Sequence, residues 1–336
     1  MPLKQSRNLS SSSDKDLGHS VDISILIVAY NSRDCIEECL TAIRSAAHSV
    51  RTEIILVDNG EDGTGDIVGA NFPEVVIVQS EGNVGFAKAN NRLAKIAIGA
   101  NLLLLNPDAF LQVGAVEELH HAAKKYADAG AWGGVTVDRN GAPDLGNTVP
   151  VPSLGELLSS ATGKAKSGKQ TPTSINEDQF AEVLPGGMMM VPRSVWNEFG
   201  GFDERFFLYC EEVDLCVRLR KAGLKLHRIA KAKAYHNAAH GNFQSPLRRL
   251  YQIAGMVEYL RKHWSIPKCI LGIGLIWVGA FWRYAIGTVA GRFNPALAVI
   301  GKRYRMIALR PNLWIFGYHN ERGLKAQLDR KMPQFR

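Results

Sequence analysis

The amino-acid sequence predicts an open, mostly parallel α/β sheet followed by a basic helical region. Between residues 21 and 245, short apolar runs alternate with amphipathic segments, which is the pattern of strands joined by crossover helices. After residue 245 this alternation ends, and helical patterns rich in Lys, Arg and Trp follow. The 336 residues are enough for one large or two ordinary domains.

Four apolar runs are predicted to be strands buried on both faces, because none of them alternates with polar residues. They cover residues 23–29, 53–57, 75–78 and 101–105. Helices are predicted over residues 34–46, 85–98, 113–126 and 211–222. The polar, proline-containing residues 139–182 predict a flexible loop over the site, and order is expected to return at residues 183–191.

The composition excludes several classes of protein. With 46% hydrophobic and 21% charged residues, the chain is not a disordered, fibrous or multi-span membrane protein. Five cysteines without CxxC spacing predict reduced thiols, with no disulfide framework and no cysteine metal cluster. Residues 1–20 are polar and predict a disordered tail without a signal peptide. We therefore predict a tail at 1–20, an α/β domain at 21–245 and a helical region at 246–336.

The net charge of +8 is concentrated in the C-terminal part. Residues 248–336 hold 16 Lys or Arg and 3 Asp or Glu, whereas the other 247 residues hold 24 and 29. A basic region of this kind predicts an anionic partner, either nucleic acid or an anionic membrane surface. No known basic–aromatic module is present, so no nucleic-acid partner is expected.

A membrane contact is predicted at the C-terminal apolar stretch. The 14 uncharged residues 269–282 precede Arg283 and are short of the ~20 that a spanning helix needs. The tryptophans and basic residues around this stretch favour a pair of helices lying in the membrane interface. The alternative is a buried helical hairpin or a dimer interface, which leaves a homo-oligomer open.

Polar residues follow the predicted strands at the edge where open α/β sheets bind ligands. Asp58 can accept hydrogen bonds from a ribose or a nucleobase imide, or it can organise the turn that follows it. Asn106 and Asp108 are oxygen ligands at a spacing that suits a divalent cation and a diphosphate, with a simple Asn-Pro turn as the alternative. Other candidates by position are Tyr30, Asn31 and Asn59.

Two further groups carry titratable side chains. Glu211 and Glu212 open a helix near glycine-rich segments, and a general base must be a positioned carboxylate or histidine. Helical phase lets only one of the two face a cleft squarely, and acidic residues are also favourable in any first turn. His236 is a candidate metal or diphosphate ligand, with His240 as a competitor and a structural role as the alternative.

Taken together, six segments resemble the large family 2 of inverting glycosyltransferases. In chain order they read SILIVAYNS, ILVDNGEDGT, NVGFAKANN, LLLNPDAF, the block from LPGG to RLRKAGLKL, and AYHN. The resemblance covers about residues 21–245, and the NPD and GGFDE elements look like the bacterial rhamnosyltransferase-like branch. It implies a GT-A fold, which is Rossmann-like with a mostly parallel central sheet, followed here by a membrane-associated helical extension.

The resemblance also implies roles for individual residues. It implies that Glu212 is the catalytic carboxylate and that Asp108 and His236 bind a metal, Mg²⁺ or Mn²⁺. The residues implied to bind the nucleotide sugar are Ala29, Tyr30, Asn31, Asp58, Asn59, Asn83, Gly85, Asn91 and Asn106. Those implied to form the acceptor site are Gly186, Gly187, Phe202, Asp203 and Glu211. The chain departs from the family's pattern where Glu-Glu replaces the usual Glu-Asp pair and where Asn106 replaces the first Asp of the DxD motif.

The implied activity is transfer of a sugar, with inversion, from a nucleoside diphosphate sugar to a polyprenyl-linked glycan acceptor in bacterial cell-envelope synthesis. The first expectation is dTDP-rhamnose as donor, and UDP-galactofuranose or another UDP-hexose is the alternative. The enzyme is expected as a peripheral protein on the cytoplasmic face of the membrane. A nucleotidyltransferase is disfavoured because the first strand ends in Ala-Tyr-Asn-Ser. A non-catalytic scaffold is disfavoured because Asp108 and Glu212 are both present.

Overall fold

The structure of the chain, a computed structural model, describes residues 21–143, 147, 149–163, 176–236 and 245–331. The predicted tail at residues 1–20 and the competitor His240 lie outside these residues. The strands are β1 Ile23–Ala29, β2 Thr52–Asp58, β3 Val75–Val78, β4 Asn101–Leu105, β5 Ala109–Leu111, β6 Ala129–Val137, β7 Gln179–Phe180, β8 Met188–Pro192 and β9 Lys225–His236. The helices are α1 Ile36–Ala46, α2 Thr64–Asn71, α3 Phe86–Ile96, α4 Ala115–Lys125, α5 Leu154–Ala161, α6 Arg193–Glu198, α7 Glu211–Lys221, α8 Pro246–His263, α9 Ile266–Val289, α10 Pro295–Leu309 and α11 Leu324–Lys331.

The strands form one nine-stranded sheet in the order β3-β2-β1-β4-β8-β6-β9-β5, with β7 paired to β9. As predicted, β3, β2, β1 and β4 run parallel. Ala29 is paired with Asp58, and Ile27 with Leu105, so these strands end at one edge of the sheet. Strand β8 is antiparallel to both β4 and β6, which makes the other half of the sheet mixed.

Both faces of the sheet are buried, which explains the unbroken apolar runs in the sequence. In β1, Leu26 and Val28 face one core, which also contains residues of α3 and α7. Ile25 and Ile27 face the opposite core, which contains the apolar stripes of α1 and α4. Successive side chains point to opposite faces of a strand, so two covered faces require apolar residues at every position.

The segment predicted as a flexible loop is partly ordered. Within residues 139–182, the structure has helix α5 and the short strand β7. A capping box begins α5, because Ser153 accepts from the amide of Glu156 and the Glu156 carboxylate accepts from the amide of Ser153. Residues 183–191, where order was expected to return, begin with the buried Val183 and Leu184 and include most of β8, which starts at Met188.

The C-terminal apolar stretch forms one continuous helix of 24 residues that includes Arg283. The Arg283 guanidinium turns toward the protein, where it donates to the carbonyl oxygens of Ser160 and Gly279, each at 2.9 Å. Because its charge is satisfied on the packed side of α9, Arg283 does not interrupt the helix. Within the described residues, Ile266–Arg292 is the one segment long and apolar enough to cross a membrane, by length and composition only.

The helical region shares a hydrophobic core with the α/β sheet. Leu250 and Val257 of α8, Ile276 of α9 and the fully buried Trp314 belong to the same cluster as Leu26 and Leu104 of the sheet. Helix α8 begins at Pro246, next to the predicted boundary at residue 245. The two predicted segments therefore pack against each other through apolar side chains.

Candidate active site

A cavity of about 940 Å³ opens at the carboxyl ends of the parallel strands. Several residues predicted to bind the nucleotide sugar line it, together with the predicted metal ligand Asp108: Tyr30, Asn31, Asn59, Asn83, Gly85 and Asn106. They follow β1, β2, β3 and β4, so the aligned ends of the parallel strands bring them together. A cavity of this volume can hold a nucleotide-sized ligand.

The chain turns sharply around this cavity. Asn31 has a positive φ of 51°, and Tyr209 and Cys210, directly before α7, have φ values of 68° and 71°. Left-handed backbone is uncommon for residues other than glycine and persists where the surrounding structure holds it in place. All three residues lie next to segments that carry candidate site residues, which marks this part of the fold as functionally constrained.

The Asp58 carboxylate organises the turn after β2. Its Oδ1 accepts from the amide of Gly60 and its Oδ2 from the amide of Gly65, each at 2.8 Å. These two hydrogen bonds show that Asp58 organises the turn that follows it. Each carboxylate oxygen has a second lone pair, so Asp58 keeps acceptor capacity toward a ligand.

Gly85 is required by a close approach between two walls of the cavity. Its φ is +87°, and a Cβ at this position would clash with the carbonyl oxygen of Phe207. The same carbonyl accepts from the amide of Phe86 at 2.8 Å. The glycine of the NVGF motif thus lets the start of α3 meet the segment that leads into α7.

The two predicted metal ligands lie together. His236 ends β9 opposite Ala109 of β5, which places its Nε2 3.6 Å from Oδ2 of Asp108. The Asn106 amide group packs against Gly187, where a Cβ would lie 2.8 Å from Asn106 Nδ2. No group of three His, Cys, Asp or Glu residues that could hold a metal occurs among the residues that the structure describes.

Glu211 and Glu212 are buried carboxyls at the start of α7. Oε2 of each side chain has no hydrogen-bond partner within the described part of the chain. Burial raises the pKa of both, and the charge of Glu212 further raises the pKa of Glu211, which lies well above its ordinary value. A Cβ on Gly186 would lie 3.5 Å from both Glu212 Cβ and the ring of Phe86, which lines the cavity, so Glu212 lies beside that wall.

Four other predicted site residues are not part of the cavity wall. Ala29 is fully buried, and its carbonyl accepts from the amide of Asn59. Asn91 instead bonds to the backbone of Phe202, donating to its carbonyl at 2.8 Å and accepting from its amide at 3.0 Å. Phe202 is itself buried against Trp196, and Asp203 is paired with Arg205 and with Lys262 of α8. These contacts are structural and position the segment that precedes α7.

The sequence analysis missed the contribution of the C-terminal helices to this cavity. Tyr251 of α8, together with Lys325 and Asp329 of α11, lines it. Lys325 Nζ pairs with Asp329 Oδ1 at 2.8 Å and lies 5.2 Å from the ring centroid of Phe207. No local pattern marks these residues, because they reach the site only through tertiary packing over more than 200 residues of chain.

Helix α8 also holds the catalytic candidate helix in place. Asp214, two residues after Glu212, is fully buried and accepts from Arg218 Nε at 2.8 Å. It pairs with Lys262 at 2.6 Å and with His263 Nε2 at 2.8 Å, both at the end of α8. Hydrogen bonds from His263 and Lys262 outweigh burial and lower the pKa of Asp214, so this carboxylate stays charged.

The structure has the GT-A fold. A mannosyltransferase from Pyrobaculum calidifontis, solved with GDP-Man and Mn²⁺, aligns with a TM-score of 0.54 at 16% identity, over 94% of this chain and 89% of that one. Residues 24–173 match the model of glycosyl transferase family 2.

Two curated relatives are named as rhamnosyltransferases. The N-acetylglucosaminyl-diphospho-decaprenol L-rhamnosyltransferase of Mycobacterium tuberculosis is 29% identical over 251 residues, which is 67% of this chain and 79% of that protein. Rhamnosyltransferase WbbL of Escherichia coli is 41% identical over 69 residues, which is 20% of this chain and 26% of that protein.

The five cysteines predicted to be reduced are all free in the structure.

Proposed function

We propose that this glycosyltransferase moves a rhamnosyl group from dTDP-rhamnose to a hydroxyl of a lipid-linked glycan, with inversion at the anomeric carbon. The observation that carries the proposal is the arrangement around one cavity. Asp108 lies on its strand-end wall with His236 next to it, and the Glu212 carboxyl lies beside the wall formed by Phe86. An inverting transfer needs a charged site for the departing diphosphate and a separate base for the attacking hydroxyl.

The donor is proposed to bind along the strand ends. Tyr30 and Asn31 follow β1, and Asn59 and Asn83 supply amide groups on the next two strands. The rhamnosyl assignment is supported by the names of the two relatives. A UDP-hexose or UDP-galactofuranose donor is distinguished from dTDP-rhamnose by the nucleotide comparison described at the end of the Discussion.

The donor set fits a divalent cation. Asp108 is a carboxylate at the cavity wall, His236 adds an imidazole, and Asn106 is a neutral oxygen ligand two residues before Asp108. Mg²⁺ and Mn²⁺ prefer oxygen ligands such as those of Asp108 and Asn106 and commonly complete their coordination with phosphate oxygens. When bound, the metal neutralises charge on the diphosphate. Asp108 and His236 are the residues proposed to hold it.

Glu212 is proposed as the base that takes the proton from the acceptor hydroxyl. Two neighbouring buried carboxyls do not both ionise easily, because each charge disfavours the other. Burial raises the pKa of both carboxyls, so only one of the two ionises readily. Glu212 lies beside the cavity wall, and it is the carboxylate proposed to accept the proton.

The acceptor is proposed to be a polyprenyl-linked glycan at the cytoplasmic face of the membrane. The Mycobacterium tuberculosis relative is named for a decaprenol-linked substrate. In this chain, α9 exposes a row of apolar side chains that includes Ile270, Val278 and Trp282. An exposed apolar helix face with basic neighbours is typical of peripheral membrane proteins.

The test of this proposal compares Glu212→Gln with Glu211→Gln. Loss of a general base costs typically ~10²–10⁴ in rate, so Glu212→Gln should lower kcat by that factor while donor binding is kept. Glu211→Gln is the matched control, because glutamine resembles a protonated carboxyl in shape, and it should lower kcat only several-fold. Equal loss in both variants, or near-normal turnover by Glu212→Gln, would refute the assignment of the base.

The pH dependence follows from the raised pKa of Glu212. The base acts only when deprotonated, so kcat should fall as pH falls through that pKa, and the acid limb should lie above the ordinary value of 4.5. The same raised pKa makes folding stability change with pH in the direction opposite to that of kcat. A carboxyl whose pKa is raised on folding favours the native state at low pH and loses this contribution as pH rises through the raised value. A rate profile without this acid limb would contradict the role of Glu212.

A further inference from the structure

A second cavity lies between α5, α8, α9 and α10, outside the donor cavity. This groove, of about 570 Å³, is lined by Arg249 of α8, Arg283 of α9 and Tyr304 of α10. Apolar side chains that include Ile253, Met256 and Leu275 form the rest of its wall. The groove therefore has a basic part and an apolar part.

Among the described residues, the two arginines of the groove have neutral hydrogen-bond partners only. Arg283 donates to two carbonyl oxygens, and Arg249 Nη1 donates to Gln252 Oε1 at 3.0 Å. Arg249 and Arg283 both approach the ring of Tyr304, with each Cζ 5.5 Å from its centroid. The Nε atoms of Arg249 and Arg303 are buried without a hydrogen-bond partner among the described residues. In that part of the chain, no carboxylate lies within ion-pair distance of Arg249, Arg283 or Arg303.

One acidic residue, Glu156, borders the groove. Its carboxylate already accepts from the amide and the hydroxyl of Ser153 in the cap of α5. Burying unpaired like charges costs free energy unless an anion compensates them. Two guanidinium groups at one ring thus favour an anionic ligand, and arginine is the side chain best suited to bind phosphate.

The apolar part of the groove continues onto the exposed face of α9. Leu275 lines the groove, and Leu271 and Val278 lie one helical turn to either side of it on the same helix face. Both are exposed, as are Trp282 and Ile286 further along the helix. Lys268 is the only charged residue on this exposed face of α9. A single hydrocarbon chain leaving the groove would therefore meet apolar surface.

We propose that this groove binds the phosphate or diphosphate end of a single-chain lipid carrier, with the hydrocarbon chain lying along α9. The inference rests on the lipid-linked acceptor proposed above and identifies where its anionic end is held. A polyprenyl phosphate or diphosphate carries about two negative charges on one chain, which matches the two arginines of the groove and the single apolar track. A phospholipid diester carries one charge on two chains and matches them less well.

The experiment measures vesicle binding by the full chain without donor or turnover. Vesicles of phosphatidylcholine with undecaprenyl phosphate are compared with phosphatidylcholine–phosphatidylglycerol vesicles of equal negative charge. The wild-type chain should prefer the undecaprenyl phosphate vesicles about tenfold, and Arg249→Gln should remove this preference. Arg305→Gln is the control, since Arg305 is exposed on α10, does not line the groove and loses the same charge.

Equal weakening by Arg249→Gln and Arg305→Gln, or equal binding to both vesicle types, would overturn the inference, because either result indicates nonspecific attraction. If circular dichroism shows that Arg249→Gln does not fold, the wild-type chain is titrated instead with farnesyl phosphate and with inorganic phosphate. A rise in Tm with farnesyl phosphate alone supports the groove, and an equal rise with inorganic phosphate refutes it. Sugar transfer that proceeds with an unchanged acceptor KM in Arg249→Gln would refute the groove and leave the proposed function standing. Groove binding by a chain that transfers no sugar would support the groove and refute the proposed function.

Discussion

The sheet and the C-terminal helices contribute to the candidate site in different ways. The sheet supplies polar side chains at short, regular intervals after its strands, and these residues surround the cavity. The C-terminal helices supply few side chains, but they close the cavity through Tyr251 and Lys325 and hold α7 through Lys262 and His263. A region that carries no recognisable motif thus completes a site whose motifs all lie elsewhere.

Asp214→Asn tests the connection between the two regions with the largest expected effect on stability. The variant leaves Arg218 without its buried counter-charge and removes one of the two carboxylates that pair with Lys262, and breaking a buried pair in this way costs ~3–5 kcal/mol. Urea unfolding should show this loss near neutral pH. Because the pKa of Asp214 is lowered in the folded state, the loss should shrink as pH falls through that pKa. A cost below about 1 kcal/mol would mean that α8 does not hold α7 through this carboxylate.

Asp108→Asn tests the metal-binding part of the sheet edge. Even residues one step removed from a metal commonly change its affinity ~10–100-fold, so loss of a proposed ligand should weaken metal-dependent nucleotide binding by at least ~10-fold. Isothermal titration with and without Mn²⁺ separates this effect from binding of the nucleotide alone. Asp138→Asn is the control, because Asp138 is an exposed turn residue outside the cavity. Unchanged Mn²⁺ dependence in Asp108→Asn would remove Asp108 from the metal site.

Lys325→Gln asks whether α11 contributes to donor binding. Lys325 lines the cavity beside Phe207, and one favourable charge at such a position is worth about 1 kcal/mol, or roughly fivefold in affinity. Lys302→Gln removes the same charge at an exposed position of α10 that does not line the cavity, so it should leave the affinity unchanged. Equal affinities for both variants in the same titration would show that α11 closes the cavity without contacting the donor.

Trp282→Ser probes the exposed face of α9 and has the smallest expected effect. The side chain is 54% exposed, so its substitution removes only part of the apolar surface available for membrane contact. Vesicle binding should weaken roughly threefold. Phe180→Ser, which removes an exposed aromatic side chain from the α/β part, should leave vesicle binding as it is in the wild-type chain. If both substitutions had the same effect, α9 would not be the membrane-contacting face.

The strands and the cavity residues of the sheet could be predicted because their signals are local. The apolar runs of β1 and β4 lie between covered faces, and Asp108 and His236 meet because β5 and β9 pair in register. The Ser153–Glu156 capping box was also readable, although the polar residues around it indicated a loop. The positions of Lys325 and Arg283 could not be predicted, since each depends on which distant surface its helix packs against.

The central claim is that the cavity at the strand ends binds a nucleoside diphosphate sugar with a divalent metal. Thermal unfolding of the full chain, with a panel of nucleotides and nucleotide sugars in the presence and absence of Mn²⁺, tests it most directly, because a ligand that binds only the folded state raises Tm. We predict an Mn²⁺-dependent rise with dTDP and dTDP-rhamnose that UDP and GDP do not produce. A rise with UDP ligands alone would change the donor to a UDP-sugar and keep the enzyme class. The absence of any rise with every nucleotide would contradict the account.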